Sequence, residues 1–356
     1  MRRYILMHGS REVAGLTEGG ACEILCPDFM PYSLYLEEQN DMDGRVQNMI
    51  NFYAWCSSRT LTLDRQYIKE ILNSIGATQA ATDQDRAKIA LSYHCLSLTD
   101  IYWVRQEEET VTWEELNLYE NHLSNAFVDL SLRGKQMTAT NRELAPDLST
   151  SGCFPKAWVR REDGFFLLKD GGADAVEREV LASRVCRCFD CSQVLYEQEW
   201  FEGQPVSVSR IFTDPKRGIV TREAFEIYAA NHDLDAAAFI KKMDPEGYYS
   251  MYLLDYLTGN TDRHWGNWGF LVDHADNRLL CLHPLMDFNR AFTAYDQPDG
   301  GVFLPEFSRH ISQREAALEA VRAIGWPQIR DMEPEWFAGH RDWYEMLTRR
   351  MELLRK

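Results

Sequence analysis

The chain has 356 residues, 45% of them apolar, with 10 Trp, 17 Phe and 16 Tyr and a formal net charge of −17. That apolar and aromatic content excludes a mostly disordered chain, and the length suits two or three folding units of roughly 100 to 200 residues each. The acidic balance argues against the chain itself tracking a nucleic-acid backbone, which needs clustered Lys and Arg, so no direct nucleic-acid binding is expected.

Met1-Arg2-Arg3 is basic, but the apolar run after it is too short for a signal-peptide core, and no stretch elsewhere reaches the length of a membrane span. No membrane contact and a cytoplasmic protein are therefore expected. From Tyr4 to Leu36, short apolar runs alternate with Gly9, Gly15 and the Gly19-Gly20 pair, the pattern of a small strand and hairpin unit. Arg45 to Ser92 carries helical periodicity, with Asp64 as the expected N-cap of Tyr67-Ile68-Ile71-Leu72. Helix is expected across 37–140, with Glu107-Glu108-Glu109 as a solvated face. Nine cysteines, an odd number over a long chain, fit reduced thiols. Cys186, Cys188 and Cys191, with Cys22 and Cys26 upstream, lack paired C-x-x-C spacing and lie in a helical pattern, so they read as buried thiols and not as a zinc site.

A nucleotide-binding pattern begins near Asp147. The small-residue loop Ser149-Thr150-Ser151-Gly152 leads through Lys156 into the strand Ala157-Trp158-Val159, and such a loop can present backbone amides to phosphates. Phe165 to Leu168 forms the next strand, ended by Lys169. Asp174 to Phe189 reads as a helix with Val176, Val180, Leu181, Val185 and Cys188 on its apolar side. A strand lysine followed by a helix glutamate is the pair that positions nucleotide phosphates in kinases. Counting around the helix puts Glu177 nearer the apolar face, and Glu179 is the other choice. Pro205 to Phe212 alternates as a strand whose end, Arg210-Ile211-Phe212 and then Thr213-Asp214-Pro215, is a candidate hinge for adenine.

The densest chemistry follows. Tyr248 to Leu257 is an apolar, aromatic-rich run that reads as a buried helix, and Gly259-Asn260 is a helix stop. Asp262 and Asn267 lie just beyond it. Trp268 to Asp273 and Leu279 to His283 are short apolar runs flanking the turn-rich His274-Ala275-Asp276-Asn277, a hairpin signature. A hairpin returns the chain to its origin, which should bring Asp287 beside Asp262 and Asn267. Two carboxylates and an amide oxygen suit a hard cation such as magnesium that bridges to nucleotide phosphates. Asp262 would orient the attacking hydroxyl or accept its proton, while Asn267 and Asp287 hold metal. His264 and His283 allow a metallohydrolase instead, but no paired-His spacing supports it. Gln313 to Lys356 looks helical and should cap the larger lobe.

Taken together, Ser149-Thr150-Ser151-Gly152 with Lys156, Leu168-Lys169, Glu179, Ser209-Arg210-Ile211-Phe212, Asn260-Thr261-Asp262-Arg263-His264-Trp265-Gly266-Asn267 and Pro284-Leu285-Met286-Asp287 resemble the HipA-like serine/threonine kinases of bacterial toxin–antitoxin and persistence systems. The resemblance covers roughly 147 to 310, and the opening hairpin is also similar to that family's N-terminal unit. It implies an α+β, two-lobed protein-kinase-like fold with a small N-terminal β-hairpin unit and a largely helical C-terminal lobe. The implied division is 1–140 for the N-terminal unit with its helical insertion, 141–215 for the nucleotide-binding small lobe and 216–356 for the large lobe. ATP and Mg2+ are the implied cofactors, a protein Ser/Thr hydroxyl the acceptor, and an antitoxin-like protein a candidate partner. Asp262 becomes the base, Asn267 and Asp287 the magnesium ligands, and Lys169 a phosphate contact with Glu179 favoured as its partner. Ser151, Gly152, Lys156, Arg210, Ile211 and Phe212 fall in the nucleotide-binding stretches. Ser149, with Thr150 and Ser151, occupies the place of autophosphorylation, where added charge would disfavour a seat beside ATP phosphates. A small-molecule kinase of the aminoglycoside type and a catalytically silent nucleotide-binding regulator stay open as alternatives.

Overall fold

The computed structural model describes residues 2–60, 82–120, 154–293, 297–306 and 308–355. The phosphate loop with Ser149, Thr150, Ser151 and Gly152, and the helix expected after Asp64, lie outside the described residues. By compactness the chain divides into two units that each draw on separate stretches of sequence. The first is Met1–Asp170 with Ile211–Ile219 and Val272–Leu279, and the second is Gly171–Arg210 with Val220–Leu271 and Leu280–Lys356. Among the described residues no helix is long and apolar enough to cross a membrane.

The first unit opens with strands β1 (Arg3–His8), β2 (Arg11–Thr17) and β3 (Cys22–Ile24), followed by helices α1 (Met42–Ser58) and α2 (Asp83–Ser92), strand β4 (Tyr102–Gln106) and the one-turn helix α3 (Trp113–Leu116). Its sheet runs β3-β2-β1-β4. The opening hairpin expected from the Gly-punctuated runs is β1–β2, antiparallel with Tyr4 opposite Leu16. Strand β4 corrects the expectation of helix throughout 37–140. It pairs antiparallel with β1, Leu6 opposite Val104, and Tyr102, Trp103 and Val104 are all buried. A strand covered on both faces shows a continuous apolar run and no alternation, so it carries no period of two to read. The core gathers Ile5, Leu6, Phe52, Trp55 and Trp103. Arg59, at the end of α1, reaches Asp100 with two bonds of 2.7 and 2.8 Å and the Cys95 carbonyl at 2.6 Å, fastening the helix to the entry of β4. Strands β5 (Lys156–Arg161) and β6 (Gly164–Lys169) then form an antiparallel hairpin in which Lys156 lies opposite Lys169.

The second unit contributes α4 (Ala173–Arg187) and the antiparallel hairpin β7 (Tyr196–Phe201) and β8 (Gln204–Arg210). β7 escaped the sequence reading because Glu197, Gln198, Glu199 and Trp200 leave it no apolar alternation. Helix α4 ends at Arg187, so Cys191 lies beyond the helix that was expected to hold it; Cys186 and Cys188 are buried free thiols. The chain continues through β9 (Arg217–Thr221), α5 (Arg222–Asn231), α6 (Ala236–Met243) and α7 (Pro245–Thr258), then β10 (Gly269–Asp273) and β11 (Arg278–Leu282), which neighbour each other as the expected hairpin. The single helical stretch expected from Gln313 onward is two helices, α8 (Gln313–Ile324) and α9 (Arg341–Arg355). Gly325, at φ 79°, stops the first in a conformation that suits glycine, and Pro327 cannot resume it.

Helix α7 carries the site. Asp244 caps its start, one carboxylate oxygen accepting from the Gly247 amide at 2.9 Å and the other from the Leu282 amide at the end of β11, also at 2.9 Å. Tyr248, Met251, Tyr252, Leu254 and Leu257 are buried around its axis. Gly259 ends it at φ 65°, in the left-handed region. Gly269, where the chain leaves the acid-bearing loop, lies so near β9 that a Cβ there would come within 2.1 Å of the Val220 carbonyl oxygen. Only glycine fits that approach.

Candidate active site

Between Gly259 and Gly269 the chain is a loop whose shape is set from inside. Arg263 is 1% exposed and acts as its central tie. Its Nε and Nη2 each meet a carboxylate oxygen of Asp255 on α7 at 3.0 Å. Its Nη1 donates to the carbonyl of Asn267 at 3.0 Å and to that of Met286 at 2.6 Å. One guanidinium thus fixes the helix, the end of the loop and the residue immediately before Asp287. Burial works against the charge, but Asp255 and, more weakly, Asp287 outweigh it and hold the Arg263 pKa above its ordinary value. Asn260, wholly buried, donates to Asp255 at 3.0 Å, so the same carboxylate also anchors the loop's first turn.

The expected site residues hang on this tie. Asn267 donates its side-chain N–H to the Asp262 carbonyl at 2.9 Å, closing the loop upon itself. With its nitrogen so engaged, its oxygen is the atom left for a cation. Asp287 is half-buried at φ 59°, a left-handed conformation that Asp tolerates better than most residues, and its amide donates to the Tyr196 hydroxyl at 3.1 Å. Asp262 is partly exposed, its carboxylate 3.8 Å from the Arg290 guanidinium. The donor set of one amide oxygen and half-exposed carboxylates fits magnesium, which takes oxygen ligands and needs only one or two carboxylates when phosphates supply the rest. Among the described residues no three His, Cys, Asp or Glu side chains gather to hold a metal by themselves.

The remaining candidates divide between the two units. In the first, Lys169 is buried at 5% exposure with its ammonium 5.8 Å from the centre of the Phe154 ring, and Lys156 stands opposite it on β5. The Ile211 amide donates to the Phe165 carbonyl at 2.9 Å, and Phe212 is half-buried. In the second unit, Arg210 is exposed at the end of β8. Glu179 is 1% exposed and accepts from the Ser207 hydroxyl of β8 at 2.5 Å. Glu177 is exposed, pairing with His340 at 2.8 Å. The count around the helix that favoured Glu177 is therefore corrected: Ala175, Val176, Glu179, Val180 and Ser183 share the buried face. His264 is exposed and takes the Gly266 amide at 3.1 Å, while His283 is buried and burial pushes its pKa down to about 4. The two histidines named for a metallohydrolase thus occupy different environments.

Arg263 and Asp255 were not singled out from the sequence, although a signal existed. An aspartate inside the apolar run Met251-Tyr252-Leu253-Leu254-Asp255-Tyr256-Leu257 must be paired if that helix is buried, and the nearest downstream cation is Arg263.

No protein-family model matches the sequence, and no curated protein matches it. In structure the chain is similar to the Shewanella oneidensis MR-1 toxin–antitoxin protein HipA, seen in complex with HipB and operator DNA, with a TM-score of 0.58 and 10% identity over 98% of this chain and 97% of that one. It is also similar to the Helicobacter pylori proinflammatory kinase CtkA, with a TM-score of 0.42 and 14% identity over 55% of this chain and 90% of that one. The first likeness, nearly end to end in both chains, shows the mixed α+β HipA-like kinase fold that the resemblance implied.

Proposed function

We propose that this chain is a HipA-like kinase that transfers the γ-phosphate of ATP to a Ser or Thr hydroxyl of a protein. The observation that carries the reading is the Arg263 guanidinium, which holds the Asn267 and Met286 carbonyls at once and so locks the loop bearing Asp262 and Asn267 to the one bearing Asp287. A site of this kind works by positioning and charge stabilisation, which demands that its oxygens be fixed before substrate arrives. Asp262, partly exposed at the loop surface, orients the acceptor hydroxyl and takes its proton. Asn267 and Asp287 would hold magnesium, which when bound neutralises charge on the nucleotide's phosphates. Lys169, Lys156 and Glu179, with Ser151-Gly152 and the Arg210-Ile211-Phe212 stretch, are the residues we assign to the nucleotide. Phosphorylation within Ser149 to Ser151 would switch the site off by charge repulsion. The HipA structure contains HipB, so we further propose an antitoxin-like protein partner, and a cytoplasmic setting for both.

The test is incubation with labelled ATP and magnesium, comparing the wild type with Asp262→Asn and Asp287→Ala. Asp262→Asn should lower turnover by roughly 100-fold or more while leaving nucleotide affinity within about threefold, because the loss falls on the hydroxyl's position and proton. Asp287→Ala should abolish magnesium-dependent nucleotide binding. Peptide mapping of the wild type should place phosphate within Ser149 to Ser151. Wild-type protein that transfers phosphate only to an amino alcohol or sugar, or to nothing, would overturn the protein-kinase reading.

A further inference from the structure

We propose that Arg290 is a catalytic residue that travels with the transferred phosphoryl group, a role that rests on the kinase reading above. Its guanidinium Nε lies 3.8 Å from a carboxylate oxygen of Asp262, the proposed base, although the residue belongs to the loop of Asp287, three positions further on. One side chain therefore spans from the loop proposed for metal to the residue proposed for the hydroxyl, the interval that a phosphoryl group must cross.

The fold fixes the backbone of Arg290 and leaves its side chain free to swing. Phe288, Asn289, Ala291 and Phe292 are all buried, whereas the Arg290 side chain is 60% exposed. The Ala291 amide donates to the Phe288 carbonyl at 2.9 Å, and the Phe292 amide to the Thr258 carbonyl at the end of α7 at 2.7 Å. Thr293 donates its hydroxyl to the Arg290 carbonyl at 2.7 Å and lies 3.2 Å from the Thr261 hydroxyl of the acid-bearing loop. A plain surface ion pair contributes about 0 to 1 kcal/mol and needs no such anchoring. At 3.8 Å the contact with Asp262 is loose, so the guanidinium can exchange one anion for another.

The chemistry gives that exchange a purpose. The acceptor hydroxyl oxygen forms a bond to the γ-phosphorus as its proton passes to Asp262. The bond from that phosphorus to the bridging oxygen breaks, and the electron pair leaves with ADP. Charge in the transition state is spread over the three equatorial oxygens, and a planar guanidinium with several N–H donors can address two of them together. With Asp262 becoming neutral as it takes the proton, Arg290 is drawn to the phosphoryl oxygens at the moment they need it.

The test uses the full chain and compares binding of ADP with binding of ADP plus aluminium fluoride, a mimic of the transferring phosphoryl, in the presence of magnesium by calorimetry. Wild type should bind the mimic more tightly than ADP alone. Arg290→Ala should lose about 100-fold of that gain, the scale of one transition-state donor, while binding ADP within about threefold of wild type. Arg290→Lys should recover part of it. An Arg290→Ala protein that keeps the full gain overturns the assignment of Arg290, and the kinase reading stands apart from it as long as the wild type transfers phosphate and Asp262→Asn lowers that transfer. Wild type with neither gain nor transfer overturns the kinase reading together with it.

Discussion

Two arginines lie equally deep in the second unit, and the regions around them solve the same problem differently. Arg263 beneath the acid-bearing loop and Arg350 of α9 are each 1% exposed. Arg263 faces the Asp255 carboxylate, and its pKa is raised. Arg350 donates to the Tyr256 carbonyl, near the C-terminal end of α7, and to the Gln297 carbonyl at 3.0 Å, and it lies 4.9 Å from the centre of the Tyr256 ring. Carbonyls at a helix C-terminus carry only partial negative charge. They do not offset the desolvation, and burial lowers the Arg350 pKa to about 10, which still leaves a cation at neutral pH. Among the described contacts, Arg263 is thus held by a full carboxylate charge, while Arg350 ties carbonyls near the end of α7 and beyond it.

The largest expected effect comes from removing that countercharge. Asp255→Ala leaves the buried Arg263 guanidinium without its carboxylate, held only by two carbonyls, and takes away the acceptor of the Asn260 amide, so it should destabilise the protein by about 3–5 kcal/mol in chemical denaturation. Arg350→Met removes the buried charge along with the side chain, filling much of the space with apolar atoms. It should cost about 2 kcal/mol, from the carbonyls left without their donor and the lost ring contact. A cost for Arg350→Met equal to that of Asp255→Ala would erase the distinction between the two regions.

The loop that Arg263 ties was legible because several local signals agreed. The apolar run of α7, its stop at Gly259 and the turn residues between β10 and β11 each fix backbone locally, and together they foretell the return of the chain toward Asp287. What local pattern cannot carry was missed. β4 shows no alternation because both its faces are covered, and β7 shows none because glutamates and Trp200 line it. Counting around the helix favoured Glu177 over Glu179 wrongly, since the choice depends on which face of α4 meets β8, where Ser207 waits. The tie itself joins a helix, a loop turn and a third segment through one guanidinium. That is a tertiary fact, announced in the sequence only by an acid in an apolar helix.

The smallest expected effect is a difference in pH dependence between the two regions. His283 is buried in the Arg263 region, and burial first, with the nearby Arg263 charge as a further cause, lowers its pKa from 6.5 to about 4. The sign follows from proton counts. Between these values the unfolded chain holds a proton that the folded chain refuses, so stability is fully present above about 6.5 and is lost as pH falls toward 4, at up to about 1.4 kcal/mol per pH unit. Denaturation curves at pH 6.5 and 5.5 should show that loss in the wild type and in Arg350→Met alike. In Arg263→Gln the neighbouring cation is gone, the imidazole can charge more easily, and the loss over the same interval should shrink. An unchanged slope in Arg263→Gln would mean that the charge beside His283 is already neutralised by Asp255, and that burial alone sets its titration.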